Sequence, residues 1–525
     1  MRTNASQRHP HVTVNSMTSP LFCLSAAFAI VLVTSGGCAG ITKGPVLLRV
    51  CPDRAAIMWE TSTQEPGKIC YGRGLIPSKC AHSTVSGQGD QKTAFIHKIW
   101  LEDLEPGQAY KYRLAGAGTP SKIYEFHTPA LDANEVTFVV YGDSRTNPDI
   151  HRKLIELMKT RKVDFVVHTG DLVSSGDKYE QWGPQFFAPI EGLAETIPIY
   201  IAKGNHEGNG GNFERLLIPP GQGNDFSFDY GPVHYLCLDN VSRGVKSEEL
   251  MRLIAADAGT SRAQWKFVSY HVPSVNFGGH WSDWGYPDAL PSLAKAGVDF
   301  VITGHSHQYE RFWPVAPPVG TDGSHVTYIT AGGGGAPLSD VEPSLYHACA
   351  RRIHHFCLFH IKGNKLTMDT IDINGNIIDH LEITKDDGRL NKQYIWTAVP
   401  METIRLHQVL HSALTKAVPA KPKKNEPFTV SYKLSVPALN SPAKMTFTLR
   451  CEQGTYELGQ PQTFTIPEEG ATVEIKLTAT PLVDVQMPKD SRGNPKPILP
   501  ELSISCDYEI GRLQEEIRKS VVVQP

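Results

Sequence analysis

Five short segments of the chain place Asp, Asn and His next to glycine or other small residues, in patterns that suit metal chemistry. Asp, Asn and His supply the oxygen and nitrogen ligands that suit Zn, Mn or Fe. Two such ions about 3.5 to 4 Å apart, bridged by a shared carboxylate, would clamp a phosphoryl group and generate a hydroxide nucleophile. The five segments are Tyr141-Gly-Asp143-Ser-Arg145, His168-Thr-Gly-Asp171-Leu, Lys203-Gly-Asn205-His206-Glu207, Tyr270-His271-Val-Pro and Gly304-His305-Ser-His307-Gln-Tyr-Glu-Arg311.

Most of these segments directly follow an apolar run of the kind that forms a buried strand. Residues 136–141 and 165–168 are such runs, and between them residues 148–161 carry apolar side chains at helical spacing. This strand, helix, strand order predicts an α/β core. Because loops at the carboxyl ends of parallel strands converge on one crevice, we expect the five segments to meet in space.

The regions on either side of this core alternate apolar and polar residues, as strands with one buried face do. Short alternating runs broken by turns predict a small antiparallel sandwich before the core and a second sandwich after it. A basic segment with prolines, residues 416–424, is typical of an exposed, extended linker. The predicted boundaries are a signal peptide at 1–40, an N-terminal sandwich at 41–130, the α/β domain at 131–385, a linker at 386–427 and a C-terminal β-sandwich of unknown role at 428–525.

The five segments, in this order, resemble those of the calcineurin-like metallophosphoesterases. The run GHSHQYER at 304–311 closely resembles the GHxHxYER block of purple acid phosphatases, and residues 41–46 and 56–61 resemble the N-terminal domain of that family. Residues 100–114 resemble a fibronectin type III strand pair. The resemblance covers roughly residues 41–385. It implies a multidomain α/β plus all-β chain, with a central four-layer αββα metallophosphoesterase domain flanked by an N-terminal fibronectin III-like sandwich and a C-terminal β-sandwich.

The resemblance also implies a role for individual residues. It implies two divalent or trivalent metal ions (Fe, Zn or Mn), at what we call the first position and the second position. The first position would be held by Asp143, Asp171 and His307, and the second by Asp171, Asn205, His271 and His305, with Asp171 bridging. His206 would act with Asp171 in catalysis, by stabilising the transition state or protonating the leaving group. Arg145 and His280 are the residues predicted to bind substrate; for Arg145 the alternative is a structural pair with a nearby carboxylate.

Two departures from the family pattern affect the first position. Where purple acid phosphatases carry a tyrosine that binds ferric iron, this chain has Ser174, so we predict no purple tyrosinate enzyme. Where other members of the superfamily carry a histidine, it has Arg145, whose guanidinium offers only donors and cannot ligate. The first position therefore lacks one protein ligand. Water, His151 or His168 are the candidates to replace it.

The implied function is an exported, metal-dependent phosphoesterase that hydrolyses phosphate monoesters through a hydroxide activated by two metal ions. Two alternatives stay open: a phosphodiesterase or nucleotidase with the same site, and a degenerate, non-catalytic surface-binding protein. The expected partner is a small phosphate ester. Formal charge is 51 − 54 = −3, which does not favour a nucleic-acid partner. The candidate residues for the substrate rim are Asn276, Phe277, His280, Trp281 and Trp284.

The N-terminal region has the pattern of a secretory signal. An apolar run at 21–34 is too short to span a bilayer and is followed by small residues at 35–40; Met17 is an alternative start. Cleavage could leave a plain secreted protein or a lipoprotein acylated at Cys38. We therefore expect the protein to be secreted, periplasmic or lipid-anchored at the cell surface, with no other membrane attachment.

Export makes disulfides feasible. The pairs Cys70 with Cys80 and Cys451 with Cys506 are the candidates. For each of these cysteines, the alternative is a small buried apolar residue.

Overall fold

The computed structural model describes residues 40–62, 64–83, 85–88, 94–115, 120–242, 247–282, 284, 288–317, 321–439, 441–490 and 493–524. The apolar run at 21–34 and Cys38, on which the export prediction rests, lie outside the described residues. Among the described residues, no helix combines the length and the apolar character needed to cross a membrane.

The N-terminal region forms two four-stranded sheets that enclose a small core. In the order in which neighbouring strands are hydrogen-bonded, the sheets are β1-β2-β6-β5 and β4-β3-β7-β8. Strand β7 alternates buried and half-buried residues, so that Tyr110, Tyr112 and Leu114 face the core with Leu47 and Trp59. The assignment of this unit to the fibronectin type III class stays a prediction. The strands are β1 Ile41–Val50, β2 Ala55–Thr61, β3 Gly67–Gly72, β4 Lys79–Ser83, β5 Val85–Gln88, β6 Phe95–Leu101, β7 Ala109–Ala115 and β8 Tyr124–His127.

The central region consists of two seven-stranded sheets, ordered β11-β10-β9-β20-β21-β22-β23 and β12-β13-β14-β15-β18-β16-β19. Strands β9, β10 and β11 run parallel, as do β13, β14, β15 and β18. The strands are β9 Glu135–Tyr141, β10 Phe165–His168, β11 Ile199–Ile201, β12 Phe226–Tyr230, β13 Val233–Cys237, β14 Trp265–Ser269, β15 Phe300–Thr303, β16 Tyr309–Phe312, β17 Val315–Ala316, β18 Thr327–Ala331, β19 His347–Arg351, β20 His355–Lys362, β21 Lys365–Asp372, β22 Ile377–Asp386, β23 Arg389–Leu390 and β24 Val399–Pro400.

Apolar side chains from both sheets pack together to form the core of this region. Phe138 contacts Phe165, Phe267 and Phe359, which joins strands of the two sheets. Helices cover the outer faces, so the predicted four-layer αββα fold is confirmed. The helices are α1 Pro148–Lys159, α2 Tyr179–Trp182, α3 Asn212–Leu217, α4 Ser247–Ala256, α5 Ala289–Lys295, α6 Lys392–Ile395 and α7 Met401–Leu414, with a π-helical turn at Gly183–Phe187 and a 3₁₀ turn at Asn205–Glu207.

Helix α1 shows why the sequence folds this way next to the site. Pro148 suits the first turn, where its missing N–H leaves no hydrogen bond unmade, and Asp149 complements the helix dipole there. Leu154, Ile155 and Met158 form the buried face. The helix spans 148–159, two residues shorter than the predicted run.

The C-terminal region forms a three-stranded sheet, β25-β29-β27, and a four-stranded sheet, β28-β26-β30-β31. The structure differs from the linker predicted for residues 386–427, because helix α7 lies inside that range. Leu406, Leu410 and Leu414 of this helix are buried in the core of the C-terminal sheets. The strands are β25 Phe428–Val436, β26 Ala443–Cys451, β27 Tyr456–Leu458, β28 Gln462–Ile466, β29 Ala471–Pro481, β30 Ile498–Ile510 and β31 Leu513–Val522.

Of the two predicted disulfides, one is present and the other is not. Cys70 and Cys80 form a disulfide between β3 and β4, as predicted. The prediction for Cys451 and Cys506 is wrong, because both are free. In the β26–β30 register Cys451 is opposite Leu502, and Cys506 is opposite Phe447, four residues along the strand pair. That offset corresponds to about 13 Å, whereas a disulfide needs Cα atoms within about 7 Å.

Candidate metal centre

The candidate ligands lie in loops at the carboxyl ends of five strands. Asp143 follows β9, Asp171 follows β10, and Asn205 follows β11, while His271 follows β14 and the histidines 305 and 307 follow β15. The two sheets therefore bring all five sequence segments to one edge of the α/β domain, as the strand order predicted.

Three of these ligand positions have a left-handed backbone. The φ angles are 58° at Asp143, 61° at Asp171 and 67° at His305. This region costs a non-glycine residue about 1 to 2 kcal/mol, so other contacts must hold the loops. Glycines directly before two ligand positions, Asn205 and His305, allow the loops to pack closely against each other. A Cβ at Gly204 would lie 2.2 Å from the Asp171 backbone nitrogen, and one at Gly304 would lie 2.4 Å from Asp143 Oδ2.

The second position is surrounded by four donor atoms at the spacing of a metal shell. Asn205 Oδ1 lies 2.9 Å from His271 Nε2 and 2.9 Å from His305 Nδ1. His271 Nε2 lies 3.3 Å from Asp171 Oδ1. Atoms that bind one ion at about 2.1 Å are separated by about 3.0 to 3.4 Å, according to coordination number. These four side chains therefore fit a cation.

The protonation of His271 supports this fit. Its Nδ1–H donates to the Thr169 carbonyl oxygen at 2.9 Å, which directs Nε2 at Asn205 Oδ1. Either a proton on Nε2 or a bound cation accounts for the 2.9 Å between these two atoms. Burial opposes charge on His271, yet the carboxylates of Asp171 and Asp143 raise its pKa to about 9. The local field thus favours positive charge where an ion would bind.

The first position contains the three predicted ligands but also a cationic side chain. His307 Nδ1–H donates to the Pro337 carbonyl oxygen at 2.9 Å, so Nε2 faces Asp143 Oδ1 at 3.6 Å. Ligand atoms of Asp143, Asp171 and His271 lie within 4.8 Å of one another. Arg145 Nε lies 3.3 Å from Asp171 Oδ2, and its Nη2 lies 3.4 Å from His307 Nε2. At the first position, the predicted ligand atoms of Asp171 and His307 therefore already face the positive charge of Arg145.

None of the protein side chains considered as a replacement ligand reaches the first position. His168 Nε2 lies 3.0 Å from the Ser144 hydroxyl, and its Nδ1 accepts from the Gly170 N–H. His151 is fully buried, with Nε2 2.8 Å from the Tyr141 hydroxyl. The Ser174 hydroxyl donates to Gln185 Oε1 at 3.1 Å. The suggestion that His151 or His168 completes the site is therefore wrong, because both rings have partners elsewhere.

His206 is oriented by its own turn. Its backbone N–H donates to Asp171 Oδ1 at 2.9 Å, and its Nδ1–H donates to the Ser174 carbonyl oxygen at 2.7 Å. Nε2 is left facing the site, 3.8 Å from Asp171 Oδ2, in a side chain that is 31% exposed. This placement suits a group that donates a proton or a hydrogen bond to substrate.

Glu207 has a structural role that the sequence reasoning did not assign. Its buried carboxylate accepts from the backbone N–H groups of Asp171, Leu172 and Gly204 at 2.8, 2.8 and 2.7 Å. It therefore joins the turn that carries Asp171 to the turn that carries Asn205. The sequence shows Glu207 only as the acidic residue that ends the segment Gly204-Asn-His-Glu207. Its three backbone partners come from two loops, and the spacing of residues along the chain does not predict them.

His280 lies at the mouth of the site. Its ring centroid is 5.4 Å from that of His305 and 5.0 Å from that of His307, and its side chain is exposed. The backbone N–H of His280 donates to the Ser306 hydroxyl oxygen at 3.0 Å. Arg145 and His280 are thus the predicted substrate-binding residues that the structure places next to the ligands.

Not all candidates for the rim line it. Asn276 and Phe277 are fully buried. The Asn276 amide donates to the carbonyl oxygens of Gly278 and His280 and so shapes the loop from inside. Trp284 packs on Tyr270, with ring centroids 5.2 Å apart.

Helix α7 supports this same loop from the C-terminal side. The Gln408 amide donates to the Ser274 carbonyl oxygen at 2.8 Å, and the ring of His407 stacks on Phe277 at 4.2 Å. The C-terminal sandwich reaches the helix through the Tyr508 hydroxyl, 2.9 Å from His407 Nδ1. The loop that carries His280 therefore rests on elements outside the α/β domain.

Comparison with known proteins agrees with this geometry. Residues 136–309 match the family model described as calcineurin-like phosphoesterase. The chain is 29% identical over 350 residues to probable inactive purple acid phosphatase 1 of Arabidopsis thaliana, a match that covers 54% of this chain and 56% of that protein. It is 25% identical over 305 residues to acid phosphatase type 7 of Mus musculus, covering 50% and 69%. The chain thus spans little more than half the length of the first of these relatives.

Among solved structures, the purple acid phosphatase PPD1 from yellow lupin (Lupinus luteus) seeds matches with a TM-score of 0.54 at 18% identity. That match covers 69% of this chain and 76% of the lupin chain, and it shows a common fold. The family of the matching model uses a dinuclear metal centre. Residues 136–309 therefore form a calcineurin-like phosphoesterase domain, in a chain related to the purple acid phosphatases.

Proposed function

We propose that this protein is an exported, metal-dependent phosphoesterase that hydrolyses phosphate monoesters. The observation that carries the proposal is the convergence of four donor atoms at the second position, from Asp171, Asn205, His271 and His305. A bound cation there would supply Lewis acidity to the phosphoryl group and to the attacking water.

The remaining residues act on the substrate directly. His206 Nε2 faces the site while its Nδ1–H is held by a backbone carbonyl oxygen, so a proton on Nε2 can pass to the leaving oxygen. Arg145 has five N–H donors, and three have partners among the described residues: Asp171, Thr146 and His307. The other two are available to the phosphate oxygens.

The charge at the site supports a monoester rather than a diester. The guanidinium of Arg145 carries a positive charge, and its side chain is 15% exposed. The dianionic phosphate of a monoester gains more from this charge than the monoanion of a diester does.

Hydrolysis assays with paired substrates test the proposal. A chromogenic phosphomonoester and the matching diester are offered to the purified chain after loading with Mn, Zn or Fe, and again after chelation. We expect chelator-sensitive turnover that favours the monoester, and a loss of at least about a hundredfold in Asp171→Asn. Glu156→Gln, on the exposed face of helix α1, is the matched control. Faster diester turnover would move the substrate class to phosphodiesterase or nucleotidase.

A non-catalytic binding protein is the second candidate, favoured by the guanidinium at the first position. Several relatives carry the words "probable inactive" in their names. This candidate predicts metal binding without turnover of either ester at any pH.

Export is tested separately. We expect the mature chain, isolated from a cell that secretes it, to begin near residue 38 or 40, with or without an acyl group on Cys38. Mass spectrometry of the N-terminal peptide distinguishes these outcomes, and an intact N-terminus would contradict export through this signal.

A further inference from the structure

Arg145 is held beside the first position by its backbone N–H and by its neighbour Thr146. Its backbone N–H donates to the Asp171 carbonyl oxygen at 3.2 Å, and Nη1–H donates to the Thr146 hydroxyl at 3.2 Å. Thr146 Oγ1 in turn lies 3.3 Å from the Ser174 hydroxyl. The turn that carries Arg145 is therefore tied to the segment that carries Asp171 and Ser174.

Two of the atoms that the guanidinium meets are predicted ligand atoms of the first position. Nε–H points to Asp171 Oδ2 at 3.3 Å, and Nη2–H points to His307 Nε2 at 3.4 Å. His307 Nε2 is an acceptor, since Nδ1 carries the proton that is donated to Pro337. The lone pairs that an ion would use here already face a cation that cannot be deprotonated.

We propose that the guanidinium of Arg145 takes the place of the first metal ion, so that this chain binds a single ion, at the second position. This inference rests on the proposed function and specifies the composition of the same site.

The charges around the first position agree with such a replacement. Asp143 and Asp171 are both buried carboxylates, and buried charges need positive partners. Arg145 supplies one positive charge at this place. A further dication between Asp171 and His307 would lie against that charge and be repelled by it. The second position has no such obstacle among the described residues, because its four donors face one another.

The replacement also changes what the first position does. A guanidinium is not a Lewis acid, but it presents N–H groups in a fixed plane that matches two oxygens of a phosphate. The residue would thus neutralise the buried carboxylates on one side and hold the substrate on the other.

The metal content of the full chain tests the inference. It is measured by elemental analysis after equilibration with Mn or Zn and removal of free metal. We expect one ion per chain in the wild type and two in Arg145→His, because an imidazole removes the charge and adds a ligand. Arg145→Lys, which keeps the charge, should stay at one. In the Mn-loaded proteins, electron paramagnetic resonance should report an isolated Mn(II) ion in the wild type and a coupled pair in Arg145→His.

Each of the other outcomes would contradict a specific part of the proposal. Two ions in the wild type would overturn the replacement and leave the proposed phosphoesterase intact. One ion in a folded Arg145→His, checked by circular dichroism, would mean that Arg145 is not what excludes the first ion. No bound ion in a folded wild type would overturn the proposed function itself.

Discussion

The indole ring of Trp281 stacks on the imidazole ring of His411, with centroids 4.9 Å apart and ring planes 9° apart. Trp281 follows His280 in the loop at the mouth of the site, whereas His411 belongs to helix α7, which packs in the C-terminal core. Burial and the charge of Lys519 lower the pKa of His411 to about 3, so the stacked ring is neutral. At this contact the helix therefore acts on the substrate loop by packing and not by charge.

Removal of this stack should loosen the loop that carries His280. In His411→Ala we expect the KM for a phosphate monoester to rise several-fold while kcat changes less, because the metal ligands are untouched. Steady-state kinetics on His411→Ala and on the neighbouring Ser412→Ala measure the split. Equal loss of kcat in both variants would point to general destabilisation. His411→Phe, which retains an aromatic face, should restore the KM.

Truncation of Glu207 should destabilise the protein and weaken the metal site together. Glu207→Ala leaves three buried backbone N–H groups without their acceptor. We expect a loss of about 3 kcal/mol or more in the free energy of unfolding, measured by urea denaturation. Glu207→Gln keeps one acceptor oxygen and should lose less. A Glu207→Ala protein with unchanged stability would show that water replaces the carboxylate.

Metal should stabilise the folded chain through the second position. A ligand present at about 100 times its Kd and bound only to the native state adds about 2.7 kcal/mol to the free energy of unfolding. We expect Mn or Zn to raise the melting temperature and a chelator to reverse the rise. His305→Ala should abolish the effect, since His305 Nδ1 is one of the four converging donors. A metal-dependent shift that survives in His305→Ala would place the ion elsewhere.

A histidine remote from the site should give the stability a pH dependence. His234 donates from both ring nitrogens, to Asp229 at 2.8 Å and to Asp257 at 2.6 Å. Burial opposes its charge, but these two carboxylates raise its pKa to about 9. The stabilisation is complete below the unfolded pKa of about 6.5 and is lost as pH rises through about 9.

Because Asp229 is 76% exposed and Asp257 is 32% exposed, solvent screening limits each pair to about 1 kcal/mol or less. Urea denaturation at pH 6, 7.5 and 9.5 measures the effect, and His234→Gln should reduce the difference between these pH values. The same slope in both proteins would assign the dependence to other groups.

Much of the fold was predictable because it depends on local patterns. The apolar runs before Asp143 and Asp171 predicted buried strands, and the helical spacing between them predicted α1. Loops that end parallel strands converge, so the meeting of the five segments followed from strand order. The pairing of Cys70 with Cys80 followed from their short separation across one turn.

Other features depend on contacts between residues distant in sequence, which spacing does not encode. The free state of Cys451 and Cys506 is decided by the register of β26 and β30. Helix α7 lies in the range predicted to be a linker, and it is buried because its apolar side chains pack in the C-terminal core.

The sequence by itself determined the order of the five segments, because that depends on residue type and position alone, and their resemblance to the metallophosphoesterases implied that the first position lacks one protein ligand. Only the tertiary structure decided what fills that gap. His151 and His168 also lie near predicted ligands in the sequence, but their rings bond to other partners, whereas the Arg145 side chain extends to Asp171 and His307. A side chain's contacts are set by the space and the hydrogen-bond partners around it, and these exist only once the loops have come together.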